Sequence, residues 1–139
     1  MKKMIAVVLA VFLMCTCAFA STNSIFGLSR ATPRSLLYSG IITVSANGTW
    51  TSYKYSSRGS TGASIDVYTT NGVDSYVELW GSNSTTSAGS YIGEAYAGES
   101  QDSFYYEATE CGGEAYLYYY FKVVNDNDTS AKIFVRLYD

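Results

Sequence analysis

The acidic stretch Glu94, Glu99, Asp102, Glu107, Glu110 and Glu114 carries the one charge asymmetry of this chain, since no Lys or Arg falls between Tyr91 and Tyr120. Two carboxylates can serve as a glycosidase pair, and several together can hold calcium. In a domain too small for a deep cleft, the plainer reading is a solvated acidic edge that discourages self-association. Asn125-Asp126-Asn127-Asp128 opens like a calcium loop but lacks the Gly and the distal Glu that complete one. Asn and Asp are also what a turn would use. Nucleophilic catalysis has little to stand on. A Ser or Cys nucleophile usually needs a histidine or an equivalent base, and the sequence has no histidine. A Ser–Lys arrangement with Lys54, Lys122 or Lys132 has no spacing to single it out. Zinc held by histidines or several cysteines is excluded by count. The expectation is a protein that is not an enzyme, with no catalytic residue, no metal and no cofactor.

Aromatic side chains are the stronger candidate. Fourteen tyrosines and two tryptophans are more than a core of this size needs. Flat rings on the outer face of a sheet can stack on sugar rings, and tyrosine supplies contact area at low entropic cost. The run Glu114 to Val124, EAYLYYYFKVV, is the densest in aromatic and β-branched residues. As a strand it points Leu117, Tyr119, Phe121 and Val123 to one face, and Tyr116, Tyr118, Tyr120 and Lys122 to the other. The first set suits a core and the second an outer face. The predicted ligand-binding platform is Tyr116, Tyr118 and Tyr120, with Phe134 and Tyr138 beside it. Trp50 and Trp80 are also placed on outer faces. The competing reading is that such tyrosines pair across strands and only stabilise the sheet.

The elements that must position these residues all read as strands. Leu36 to Ser45 and Thr49 to Tyr55 flank Asn47-Gly48, which fits the two positive-φ positions of a type I′ hairpin. That turn pairs Val44 with Thr51, Ile42 with Tyr53 and Gly40 with Tyr55, so Ile42, Val44 and Tyr53 share the core face. Asn71-Gly72 marks a second reversal, with Ile65 paired to Leu79 and Val67 to Val77. Ser56 to Ala63 and Gly81 to Ser90 read as polar loops. Tyr91 to Ala97 and Ser103 to Ala108 are weaker strands around a turn at Gly98 to Asp102. Asn125 to Ser130 closes a last hairpin, pairing Val123 with Ile133, Phe121 with Val135 and Tyr119 with Leu137. On the outer face it sets Lys122 beside Phe134, Tyr120 beside Arg136 and Tyr118 beside Tyr138.

No stretch shows helical apolar periodicity. Strands at this spacing with Gly, Asn, Asp and Ser turns predict an all-β domain, a two-sheet antiparallel β-sandwich of jelly-roll or Ig-like type with about eight strands. The aromatic strand, acidic-amide turn and final strand broadly resemble bacterial extracellular sandwich modules. That likeness implies a fold class and no function.

The N-terminus sets the expected compartment. Lys2 and Lys3, the apolar run Met4 to Met14 and the small-x-small site Ala18-Phe19-Ala20 read as a cleaved signal peptide over residues 1–20. Cys15 and Cys17 raise a lipoprotein alternative, but neither has the residues a lipobox would supply. The run is too short for a comfortable membrane span. Residues 21–35 form a flexible or edge leader in which Ile25, Phe26 and Leu28 can make a short strand, and 36–139 form one domain. Cleavage leaves seven basic and twelve acidic residues, a formal charge of −5, which argues against nucleic acid and anionic membrane surfaces as partners. Only Cys111 then remains, so no intramolecular disulfide is available. The short Met-Lys-Lys leader looks bacterial, and Asn47, Asn83 and Asn127 in Asn-x-Thr contexts are read as turn residues.

The expected protein is a small secreted, extracellular, non-catalytic binding module for carbohydrate or another cell-surface ligand. The alternatives are an extracellular structural or matrix protein assembling through β-edges, for which Ala115 to Phe121 has the composition of a β-aggregating segment, and a secreted toxin or bacteriocin. An outer-membrane barrel fits poorly, because no lipid-facing apolar band is evident.

Overall fold

The computed structural model describes residues 35–58 and 60–139. The expected signal peptide and the expected leader with Ile25, Phe26 and Leu28 lie outside the described residues, except for Ser35. Alternating apolar residues form nine strands: β1 (Leu36–Val44), β2 (Gly48–Thr51), β3 (Tyr55–Ser56), β4 (Gly62–Thr69), β5 (Ser75–Ser82), β6 (Ser90–Ala97), β7 (Asp102–Glu107), β8 (Tyr118–Asn125) and β9 (Ala131–Tyr138). One helical turn, α1 (Ala108–Cys111), follows β7 and ends at Gly112, whose φ of 64° is left-handed. Among the described residues no helix is long and apolar enough to cross a membrane.

Two antiparallel sheets face one another. One has the order β1-β9-β4-β7; the other has the order β2-β8-β5-β6, with β3 also paired to β8. If β3 is counted with β2 on the same edge, the eight strands alternate between the sheets except at β5–β6, in the connectivity of a jelly roll. The all-β sandwich is therefore the fold, with nine strands where about eight were expected. Between the sheets lie Ile42, Val44, Ile65, Val67, Val77, Leu79, Tyr119, Phe121, Val123, Ile133, Val135 and Leu137, all buried. The alternation in sequence identified these inward faces correctly.

Strand partners differ from the expectation at every predicted hairpin. β1 pairs with β9, as in Ile42 opposite Ile133, and β2 pairs with β8, as in Trp50 opposite Val123. The chain thus crosses from one sheet to the other at Asn47-Gly48. A type I′ turn needs positive φ at both central residues, and here Asn47 alone has it, at 50°. The crossing is held by Asn47 N donating to Asn127 O at 2.9 Å. The Asn71-Gly72 reversal behaves alike: β4 pairs with β7 and β9, while β5 pairs with β6 and β8. The final pair does too, β8 and β9 lying in opposite sheets. Val123 and Ile133 both point into the core, but from opposite sheets.

Three faces change as a result. Tyr53, expected inside, is 85% exposed in the break between β2 and β3. Ser52 causes that break: its N donates to Phe121 O and its Oγ accepts from Phe121 N, each at 3.0 Å, so a side chain completes the ladder. Trp50, expected outside, instead packs against the core, its ring 5.8 Å from Phe121. Leu117 is 58% exposed because β8 begins only at Tyr118. β8 lies inside its sheet, between β2 with β3 and β5, so the Tyr118 to Phe121 part of the aggregation-prone run is paired on both sides.

Candidate functional site

The outer face of the five-stranded sheet gathers most of the exposed aromatic chemistry. Register places three cross-strand rows on it. Tyr76 lies opposite Tyr96 on one side and Val124 on the other; Glu78 lies opposite Glu94 and Lys122; Trp80 lies opposite Tyr91 and Tyr120. Both β5 and β6 therefore present ring, carboxylate, ring. On β5 simple alternation does this, through Tyr76, Glu78 and Trp80. On β6 it needs a register shift: Leu79 is opposite Gly93 but Trp80 is opposite Tyr91. The extra residue, Ile92, turns Tyr91 to the same side as Glu94 and Tyr96, as bulges at sheet edges re-aim side chains.

The rings pack edge-on or offset. Tyr76 and Tyr96 are T-shaped at 5.4 Å, and Trp80 and Tyr91 at 5.8 Å. Tyr120 stacks against Trp80 at 6.1 Å. Exposure then separates supporting rings from accessible ones. Tyr91, Tyr96 and Tyr76 are 50%, 44% and 43% exposed, whereas Tyr120 is 6% exposed. Polar groups are fixed between them. Trp80 Nε1 donates to Glu78 Oε2 at 2.7 Å, and the Tyr96 hydroxyl donates to Asp74 Oδ2. Lys122 Nζ sits 3.5 Å from the Trp80 ring centroid. Partial burial, the nearby negative charge of Glu94 and Glu78 and a hydrogen bond to Glu94 raise the Tyr91 phenol above its ordinary pKa. The hydrogen bond to Asp74, more than burial, does the same for Tyr96. Both phenols stay protonated, each engaged with a carboxylate.

One end of the array is walled by the β5–β6 loop. Lys54 holds it, its Nζ donating to Ser84 O at 2.8 Å, to Ser82 Oγ at 3.2 Å and to Ser87 O. Gly89 N donates to the Tyr120 hydroxyl at 3.2 Å. Tyr120 thus ties the loop to the sheet.

The five residues nominated from sequence are divided among three places. Tyr118 and Tyr120 do lie on this outer face, Tyr118 opposite Ser82 and half-buried. Tyr116 precedes β8 and plugs the end of the core, with rings of Tyr119 and Tyr106 at 6.1 and 6.4 Å. Phe134 and Tyr138 belong to β9 in the other sheet, where Phe134 stacks on Tyr68 at 4.9 Å. Two sheets packed face to face stand about 10 Å apart, so these residues do not form one platform. Sequence reasoning placed Trp80 outside and missed Tyr76, Tyr91 and Tyr96. The Tyr-x-Glu-x-Trp alternation of β5 was a usable signal; the bulge that turns Tyr91 outward left none. The acidic stretch runs along the β6 and β7 side, with Glu94, Glu99, Glu110 and Glu114 exposed. The Asn125 to Asp128 amides are engaged in turn bonding.

No protein-family model and no curated protein matches the chain. Solved structures do share its fold. The PBSX exported protein XepA aligns with a TM-score of 0.56 at 11% identity, over 76% of this chain and 36% of XepA. PirA aligns with a TM-score of 0.51 at 14% identity, over 73% of this chain and 94% of PirA. The chain therefore spans about a third of XepA and nearly all of PirA. The CBM36-1 domain of a multidomain xylanase from the hindgut metagenome of Trinervitermes trinervoides aligns more loosely, with a TM-score of 0.36 at 15% identity over 76% of this chain and 88% of that domain. The first two likenesses carry the sandwich fold and nothing about a ligand.

Proposed function

We propose that this chain is a small secreted, non-catalytic binding module whose outer five-stranded face holds a carbohydrate, free or on a cell surface. The observation that carries this reading is the pair of ring–carboxylate–ring rows, Tyr76-Glu78-Trp80 and Tyr96-Glu94-Tyr91, on one exposed face. Rings supply apolar surface for the flat side of a sugar, and the carboxylates between them accept hydrogen bonds from its hydroxyls. Rings serving only as sheet-stabilising pairs gain most when burial is complete, whereas three of these leave roughly half their surface in water. Secretion rests on the leader sequence at residues 1–20, and the non-catalytic reading on the lack of histidine.

The test is calorimetric titration of residues 21–139 with a panel of soluble oligosaccharides, alongside pull-down on insoluble polysaccharides and an assay for released reducing ends. At least one glycan should bind, and Trp80→Ala or Tyr91→Ala should weaken it about tenfold or more, each stacked ring being worth a kilocalorie or two. A folded monomer that retains no glycan overturns the reading. So does binding that survives both changes but is lost with Phe134→Ala on the opposite face. Release of reducing ends would overturn its non-catalytic half.

A further inference from the structure

We infer that the glycan held by this face carries protonated amines, as in a polymer of amino sugars with free amino groups. The inference rests on the reading above and adds the charge that the ligand must bring. Three carboxylates face the array: Asp74 at its margin, and Glu78 and Glu94 at its centre, directly opposite one another in adjacent strands. Like charges so placed disfavour a sheet. Among the described residues, the basic groups that reach this face are already engaged. Lys54, from the β2–β3 break, is spent on the β5–β6 loop. Lys122, from β8, lies over the Trp80 ring. Arg136 serves the other sheet, 3.5 Å from Asp66. Past β6 the charge stays negative, with exposed Glu99 next and no Lys or Arg between Tyr91 and Tyr120. Glu94, exposed on the edge strand, has no cation opposite it in the register.

Lys122 shows which chemistry the array accepts. Its ammonium rests on the indole although Glu78 is its direct neighbour across β5 and β8. Trp80 donates its ring N–H to the Glu78 carboxylate, which leaves the indole richer in electrons and a better partner for a cation. An ammonium over an electron-rich ring, with a carboxylate on the neighbouring strand, is thus already built once from within the chain. The Glu94 and Tyr91 side of the array offers a carboxylate and a ring with no internal ammonium among the described residues. A ligand that alternates apolar ring faces with cationic substituents matches the order ring, carboxylate, ring along both strands. A basic peptide would match the charge but not the flat, paired rings.

Residues 21–139 are titrated with the glucosamine hexamer at a pH that protonates its amines, with its fully N-acetylated counterpart, with cellohexaose and with hexalysine, each at low and high salt. The glucosamine hexamer should bind about fivefold or more tighter than the acetylated and neutral hexamers, as one partly exposed ion pair allows. High salt should narrow the gap. Glu94→Gln should narrow it likewise, and Lys122→Met, which removes the internal ammonium, should widen it. Equal binding of the three sugars, without salt dependence, overturns this inference and leaves the binding module intact. No binding by any sugar overturns both. Hexalysine binding more tightly than the glucosamine hexamer would overturn the glycan as occupant.

Discussion

Asn125 joins the two sheets at the end where β8 crosses to β9. It is completely buried, and its amide is fully used. Nδ2 donates to Thr129 O at 2.8 Å and Ser45 O at 2.9 Å, while Oδ1 accepts from Asn127 N and Asn127 Nδ2, both at 3.1 Å. One side chain therefore holds the β1–β2 crossing to the β8–β9 crossing. Asn125→Ala would remove its bonds to two carbonyls and a backbone N–H, at about 1 kcal/mol each. We expect it to lower the unfolding free energy by about 3 kcal/mol, read as a shift in the urea midpoint at unchanged slope. A change under about 0.5 kcal/mol would show that water replaces the amide. Single residues also mark where the candidate site was legible. Tyr118, Tyr120 and Trp80 follow from period-two alternation. Tyr91 does not, because the extra residue at Ile92 is a property of strand pairing and is silent in β6 alone.

Strands β6 and β7 flank the same side of the sandwich, and Gly93 of β6 meets Phe104 of β7 there. It faces inward opposite Leu79, and a Cβ there would stand 2.2 Å from the Phe104 ring. The bare backbone lets that ring fill the space between the sheets. Gly93→Ala should cost about 1–3 kcal/mol by overpacking, and should raise amide exchange along β6, whose outer edge is unpaired among the described residues. Unchanged melting would mean that the ring turns aside freely. Which side chains face the core was legible for nearly all strands, since a period-two pattern fixes faces. Which strands pair was not, because a hairpin and a crossing between sheets both direct the same residues inward. Asn-Gly signalled each reversal without specifying its geometry. In the described residues, β5 and β6 are the one consecutive pair hydrogen-bonded to each other, and the loop between them was read as merely polar. The remaining partners are far apart in sequence, β1 with β9 above all, so local patterns carry no trace of them.

Tyrosine is so abundant that it governs how the whole molecule responds to alkali. The phenols of Tyr38, Tyr55, Tyr91, Tyr96 and Tyr106 are held above their ordinary pKa. For Tyr106 the value is about 12, set first by burial and then by the neighbouring Tyr116 and Tyr119. Its hydroxyl donates to Glu114 O at 2.7 Å. In the unfolded chain every tyrosine ionises near about 10. Above that pH the unfolded state releases protons that the folded state keeps, so unfolding becomes easier as pH rises. The contribution of these phenols is fully present below about 10 and is lost as pH climbs through the folded values, for Tyr106 through about 12. No histidine adds a titration nearer neutrality. Denaturant midpoints should therefore fall from about pH 10 upward, with the tyrosinate absorbance of the raised group appearing only above that. Tyr106→Phe, which removes this strongly displaced phenol, should make the alkaline fall shallower even if it lowers stability at neutral pH by losing the bond to Glu114. If all fourteen tyrosines ionise in one step near about 10 while the protein stays folded, the phenols are in ordinary contact with water and the sandwich does not resist alkali through them.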